Sequence, residues 1–224
     1  MGSEQLAQRD EKIVAFWEII SVVASVLITS WVVVPLSGSN RLGSVVPGLL
    51  AVAFMLYSHR LHGETAREIG WRVDNFLPAT CLLIGPMVLG ALLLLLVGWV
   101  ARKAGLGEPE RVRSAWWILL WGFAWGLLQQ YALQGFIHRR LRILLGRGPK
   151  AYLSVALIFA LLHAPNLGLM AATFLGGLIW ASVYDRVPNL LALGLSHSTM
   201  SWLLIRTLPD SLIVGLRVGY KYFT

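Results

Sequence analysis

The chain has 224 residues, 57% of them hydrophobic and only 13% charged, with ten tryptophans and a mean hydropathy of +0.68. That composition lies outside the range of soluble domains and indicates a helical membrane protein. The net charge of +8 does not point to nucleic acid, because the cations sit at the ends of apolar runs, where they anchor helices and meet anionic lipid. A single cysteine, Cys81, excludes an internal disulfide and a cysteine-based metal cluster.

Residues 1–12 carry Glu4, Asp10 and Glu11 beside Arg9 and Lys12, and the apolar run that follows is too long for a cleaved signal peptide. Residues 13–36 read as a first span, with Glu18 near its inner end, expected to snorkel to the interface, and Pro35 helping to stop it. A turn at residues 37–41 leads to a shorter second span at 42–57. Residues 59–75 are too charged to cross and read as an amphipathic interfacial segment that braces the bundle, anchored by Trp71. The third span is 76–100, followed by a loop at 101–113. The fourth, 114–137, contains Gly122 and Gly126, a small-xxx-small pair that lets a neighbouring helix approach closely. Spans five to seven are 151–163, 169–184 and 189–207, and 211–224 is a candidate short eighth.

The expected fold is therefore all-α, a polytopic membrane helical bundle of about seven to eight transmembrane helices. It divides into N-terminal helices with the interfacial segment (1–113), a core (114–207) and a C-terminal tail or short helix (208–224). The distribution of Lys and Arg slightly favours an inside N-terminus. On that topology the basic run of His138, Arg139, Arg140, Arg142, Arg147 and Lys150 is a positive-inside anchor. A bacterial cytoplasmic membrane is the expected location.

Polar side chains at membrane depth recur with a spacing of four, which puts each pair on one helix face. Gln130 pairs with Gln134, Phe159 with His163, and His197 with Ser201, and Asn166 follows His163 closely. An unpaired amide in hydrocarbon costs several kcal/mol, so Gln129, Gln130 and Gln134 face other helices or a wet cavity. The hydroxyls of Ser196, Ser198 and Thr199 extend the set. Any one of these groups can simply hold helices together through an interhelical hydrogen bond worth about 0.6 kcal/mol. A scaffold has no need of so many at once, which makes an internal polar site the better reading. Two histidines could also hold zinc, though neutral amides are poor companions for a dication.

The set QQxxxQG, FxxxH and HxxxS, on successive helices about 34 residues apart, resembles the CPBP intramembrane protease family, with its motifs EExxxR, FxxxH and HxxxN/D. That family includes type II CAAX prenyl endopeptidases and bacteriocin-processing or self-immunity proteins. The likeness covers residues 114–202 and is closest in FALLHAPN, Phe159 to Asn166. It implies that Gln129 and Gln130 stand for the two glutamates, Gln134 for the arginine, His163 and His197 for the two histidines, and Ser201 for the last Asn or Asp. It further implies a membrane-anchored or lipidated peptide as substrate, membrane lipid as partner, and a glutamate acting as general base on water.

A glutamine cannot be that base, since its amide has no titratable carboxylate. Losing both glutamates and the arginine together neutralises the helix face as a unit, which avoids leaving a buried charge without its partner. Two readings follow. In the first, the chain is an active peptidase with His163 or His197 as base. Gln129 and Gln130 then position water or the scissile carbonyl, Asn166, His197 or Ser201 stabilises the oxyanion, and Gln134 and Asn166 contact substrate. A serine nucleophile, Ser198 or Ser201, is a weaker variant because no carboxylate orients the histidine. In the second, the chain is a catalytically impaired relative that binds membrane peptides in an immunity, chaperone or scaffold role. Glu18 is a carboxylate of the first span that the cavity could recruit.

Overall fold

The computed structural model describes residues 3–38, 41–109 and 115–224. The turn residues Ser39 and Asn40, the loop end at 110–113 and the first residue of the fourth expected span, Ser114, lie outside the described residues. Among the described residues every regular element is helical, as a membrane bundle requires, because only a helix satisfies its own backbone in hydrocarbon.

Helix α1 (Ser3–Ile28) continues through a π-helical turn (Thr29–Val33) into α2 (Val34–Ser37). Pro35 therefore does not end the helix. It lacks the N–H that an α-helical turn would use, and the π turn directly before it absorbs the mismatch; the helix stops at Gly38, whose φ is 52°. Helix α3 (Arg41–Leu61) leads to α4 (Ala66–Ile69), a single turn closed by a capping box in which Thr65 and Glu68 satisfy each other's backbone N–H. The expected amphipathic interfacial helix is thus no more than this turn, and His59 belongs to the buried end of α3. Bracing is nonetheless what the segment does. Tyr184 donates to the Ile69 carbonyl at 2.7 Å, Asn189 Nδ2 to the Arg72 carbonyl at 2.8 Å, and Leu190 N to the Gly70 carbonyl at 2.9 Å. Gly70 adopts φ +104°, where a side chain would be strained and would crowd Asn189.

Helix α5 (Phe76–Lys103) is followed by α6 (Ala115–Gln130), which runs through an eight-residue π-helical stretch (Tyr131–His138) into α7 (Arg139–Leu145). Then come α8 (Pro149–Leu161), α9 (Leu167–Arg186) and α10 (Leu190–Thr207). The candidate eighth span is not a span. It consists of α11 (Asp210–Ile213) and two 3₁₀ turns, with Val214 and Leu216 at positive φ, which breaks the helix.

Among the described residues three helical segments are long and apolar enough to cross a membrane: Glu4–Ser37, Phe76–Lys103 and Leu167–Arg186. Their outward faces are lined with leucine, valine and tryptophan, among them Leu89, Leu92 and Trp99. The buried core is continuous across the boundary expected at residue 113, drawing Ile19 and Val22 from α1, Leu83 from α5, Phe136 from the π stretch, Val155 from α8 and Leu193 from α10.

Candidate active site

Close packing of α6 on α10 creates the site. A Cβ on Gly194 would lie 3.0 Å from the Leu127 Cα, and one on Gly126 would lie 3.3 Å from the Gly194 carbonyl oxygen. Two glycines thus let the backbones touch, and one turn further along α6 Gln130 reaches His197. Gln130 is fully buried, and its Nε2 donates to His197 Nδ1 at 3.1 Å. A ring nitrogen that accepts carries no proton, so the neutral His197 imidazole holds its proton on Nε2.

His163 sits just beyond the last turn of α8, and its Nδ1 donates to the Phe159 carbonyl at 2.7 Å. A carbonyl only accepts, which fixes the His163 proton on Nδ1 and leaves a lone pair on Nε2. The Phe159 ring joins the two histidines, meeting His163 edge to face at 4.7 Å and His197 at 5.8 Å. Trp180 of α9 stacks on His197 at 4.6 Å with an interplanar angle of 17°, and its Nε1 donates to Ser196 Oγ. The imidazoles are therefore held by hydrogen bonds and by aromatic pairs worth about 0.5–1.5 kcal/mol each.

The other sequence-selected residues have varied placements. Gln129, around the helix from Gln130, is half-buried, as is Ser201, one turn beyond His197. Gln134 is fully buried but turned away from the histidines, its Oε1 accepting from His138 Nδ1 at 2.9 Å. Asn166 has a structural task. Its Oδ1 caps α9 through Leu169 N, and its Nδ2 donates to the carbonyls of Ile213 and Arg217, pinning the C-terminal tail. Ser198 and Thr199 donate to the Leu195 carbonyl within their own helix.

Four buried polar atoms around the π-helical stretch lack a protein partner among the described residues: Gln130 Oε1, Gln134 Nε2, His138 Nε2 and the Tyr131 hydroxyl. Each such group costs about 1–3 kcal/mol when left unpaired. Their concentration where the helix widens to π geometry is typical of functional sites.

Glu18 neither snorkels nor enters this site. It is buried, accepting from Arg140 Nε at 2.6 Å and from Ser58 Oγ. Arg140 is fully buried and also reaches Glu64, which Arg139 holds at 2.6 Å. The basic run is thus not a uniform solvated anchor; its first two arginines form an internal ion-pair layer. Sequence reading also missed Trp180. A tryptophan inside an apolar span, more than a turn from its charged end at Asp185 and Arg186, was the signal.

The zinc expectation does not fit the donors present. Among the described residues no three His, Cys, Asp or Glu side chains are grouped to hold a metal ion. Beyond the two rings the neighbours are an amide and aromatic faces, and both Nδ1 atoms are engaged.

A model of the type II CAAX prenyl endopeptidase Rce1-like family matches residues 111–203. That match supports a likeness of this segment to the CPBP family. The matched segment contains α6, the π stretch and α7 to α10 up to residue 203, so the Gln130–His197 pair and His163 all lie within it. No curated protein and no solved structure matches the chain. The match and the apolar helices together support an integral membrane protein.

Proposed function

We propose that the chain is a multi-pass intramembrane endopeptidase, in a bacterial cytoplasmic membrane, that cleaves membrane-anchored or lipidated peptides with His163 as general base. The opposed protonation of its two histidines carries this reading. His163 Nε2, with its lone pair, takes a proton from water as the water oxygen bonds to the scissile carbonyl carbon. His197 Nε2–H donates to the oxyanion that develops. Collapse of the tetrahedral intermediate breaks the C–N bond, and the proton on His163 passes to the leaving amine. Gln130 fixes the His197 tautomer, and its free Oε1 can orient the attacking water. A histidine base replaces the glutamate that motif one lacks.

One observation favours the second reading, a relative that binds membrane peptides without cutting them. Glu18 of the first helix is committed to Arg140, and among the described residues no carboxylate is hydrogen-bonded to His163 or His197. Cleavage of a library of membrane-anchored and prenylated peptides by purified protein in liposomes, read by mass spectrometry, separates the two. Wild-type cleavage supports the peptidase; cleavage by a Gln129→Glu/Gln130→Glu variant alone assigns the binding role.

A further inference from the structure

At the end of the bundle where α4, α7 and the last turn of α9 meet, six arginines from four chain segments converge. Arg67, Arg72, Arg139, Arg142, Arg147 and Arg186 line a pocket of about 480 Å³. The sequence shows only the α7 run; the fold adds the contributions of α4 and α9 from more than 60 and about 40 residues away.

The acidic groups nearby do not balance these charges. Asp74 is shared by Arg67 and Arg72, and Glu64 pairs with Arg139 but also with Arg140. The Glu68 carboxylate is taken up in capping Thr65. Asp185 lies 3.4 Å from Arg142 and 3.9 Å from Arg147, at the loose end of ion-pair geometry, while its Oδ2 accepts from Tyr152. Arg186 has no ion-pair partner among the described residues. Six guanidiniums thus face four carboxylates and leave a net positive charge. Burial first, then the neighbouring charges of Arg147 and Arg139, pushes the Arg142 guanidinium below its usual range. Such crowding of like charge is relieved by an anion.

One wall of the pocket is fully buried. Tyr184, fully buried, contributes to its wall with the hydroxyl committed to the Ile69 carbonyl, and fully buried Leu190 and His138 lie behind. It sits at the terminus of a span-length apolar helix, Leu167–Arg186, the end at which a membrane-crossing helix meets lipid headgroups. Guanidinium forks match the several oxygens of a phosphate bidentately, and interfacial arginines each favour anionic lipid by about 1 kcal/mol.

We propose that this pocket is a binding site for the phosphate of an anionic lipid headgroup. It is independent of whether the chain cuts peptides.

Native mass spectrometry of the full chain in detergent, titrated with phosphatidylglycerol or phosphatidylcholine, tests it. Arg147 and Arg186 are exposed, so Arg147→Gln/Arg186→Gln should leave folding intact while weakening phosphatidylglycerol binding roughly thirty-fold. Phosphatidylcholine retention should not change. A control with the same charge loss at the opposite end of the bundle, Lys103→Gln/Lys221→Gln, should bind phosphatidylglycerol as wild type does. An equal loss in the control, or no loss in the arginine variant, overturns the proposal. Displacement of the lipid by millimolar inorganic phosphate would assign the pocket to free phosphate instead. Displacement by a peptide with a free C-terminal carboxylate, but not by its amide, would assign it to a substrate tail; either result overturns the lipid assignment.

Discussion

Arg140 Nε donates to Glu18 Oε2 at 2.6 Å, joining α7 to α1 across 122 positions of sequence. Both side chains are buried, and Ser58 of α3 bonds each of them, donating to Glu18 and accepting from Arg140. Removing one member of such a pair leaves the other charged and unmatched, at a cost of about 3–5 kcal/mol. Glu64 remains beside Arg140, so Glu18→Gln should fall near the lower end, about 3 kcal/mol, in reversible unfolding in mixed micelles. Glu18→Gln/Arg140→Gln should lose at least ~1 kcal/mol less than the sum of the single changes. Additive losses would show that the pair is not coupled.

Glu64 gives the bundle a defined acid sensitivity. Burial raises its carboxyl, but hydrogen bonds from His59 and Arg140 and the charges of Arg140 and Arg139 outweigh that and hold it well below the usual carboxylate range. A carboxylate depressed in the folded state stabilises fully above its unfolded value, about 4.3, and that stability is lost as pH falls below it. Wild type should therefore lose stability below about pH 4 more steeply than Glu64→Gln. Parallel pH–stability curves for the two proteins would contradict the ion-pair assignment.

The contact between α6 and α10 leaves no space for a methyl group at Gly194, where a Cβ would stand 3.0 Å from the Leu127 Cα. Gly194→Ala must push the helices apart, at a cost of about 1–3 kcal/mol, and stretch the Gln130–His197 bond. The expected outcome is a lowered unfolding midpoint together with loss of function, whereas Gly48→Ala, in open space, should be neutral in both. Equal behaviour of the two variants would remove the helix contact as the basis of the site.

Opposite tautomers are expected for the two site histidines. Imidazole ¹⁵N shifts of labelled protein should show His163 protonated on Nδ1 and His197 on Nε2, from the partners each Nδ1 has. Gln130→Leu should scramble the His197 signal and leave His163 alone. Finding both rings in one tautomer would reverse the roles assigned to them.

Much of this arrangement was legible from spacing alone. The i, i+4 pairs placed Gln130 and His197 on inward faces, and Gly126 foretold where two helices would touch. Periodicity could not say which polar residue meets which. Asn166 follows His163 by three residues in sequence, yet its side chain serves the α9 cap and the tail, a choice set by the chain's return at Ile213 and Arg217. Glu18 was misplaced for a similar reason, since its partner lies 122 residues away and no local signal names it. The π-helical stretch was equally hidden, because α and π turns share one hydrophobic pattern over so few residues.

The most direct test is the rate at which liposome-embedded wild type and His163→Ala cleave the same membrane-anchored peptide in H₂¹⁸O. Wild type should release a fragment whose new carboxyl group carries ¹⁸O, and His163→Ala should be slower by about 10²–10⁴-fold, the usual contribution of a general base. Undiminished cleavage by His163→Ala would contradict a histidine base at this site.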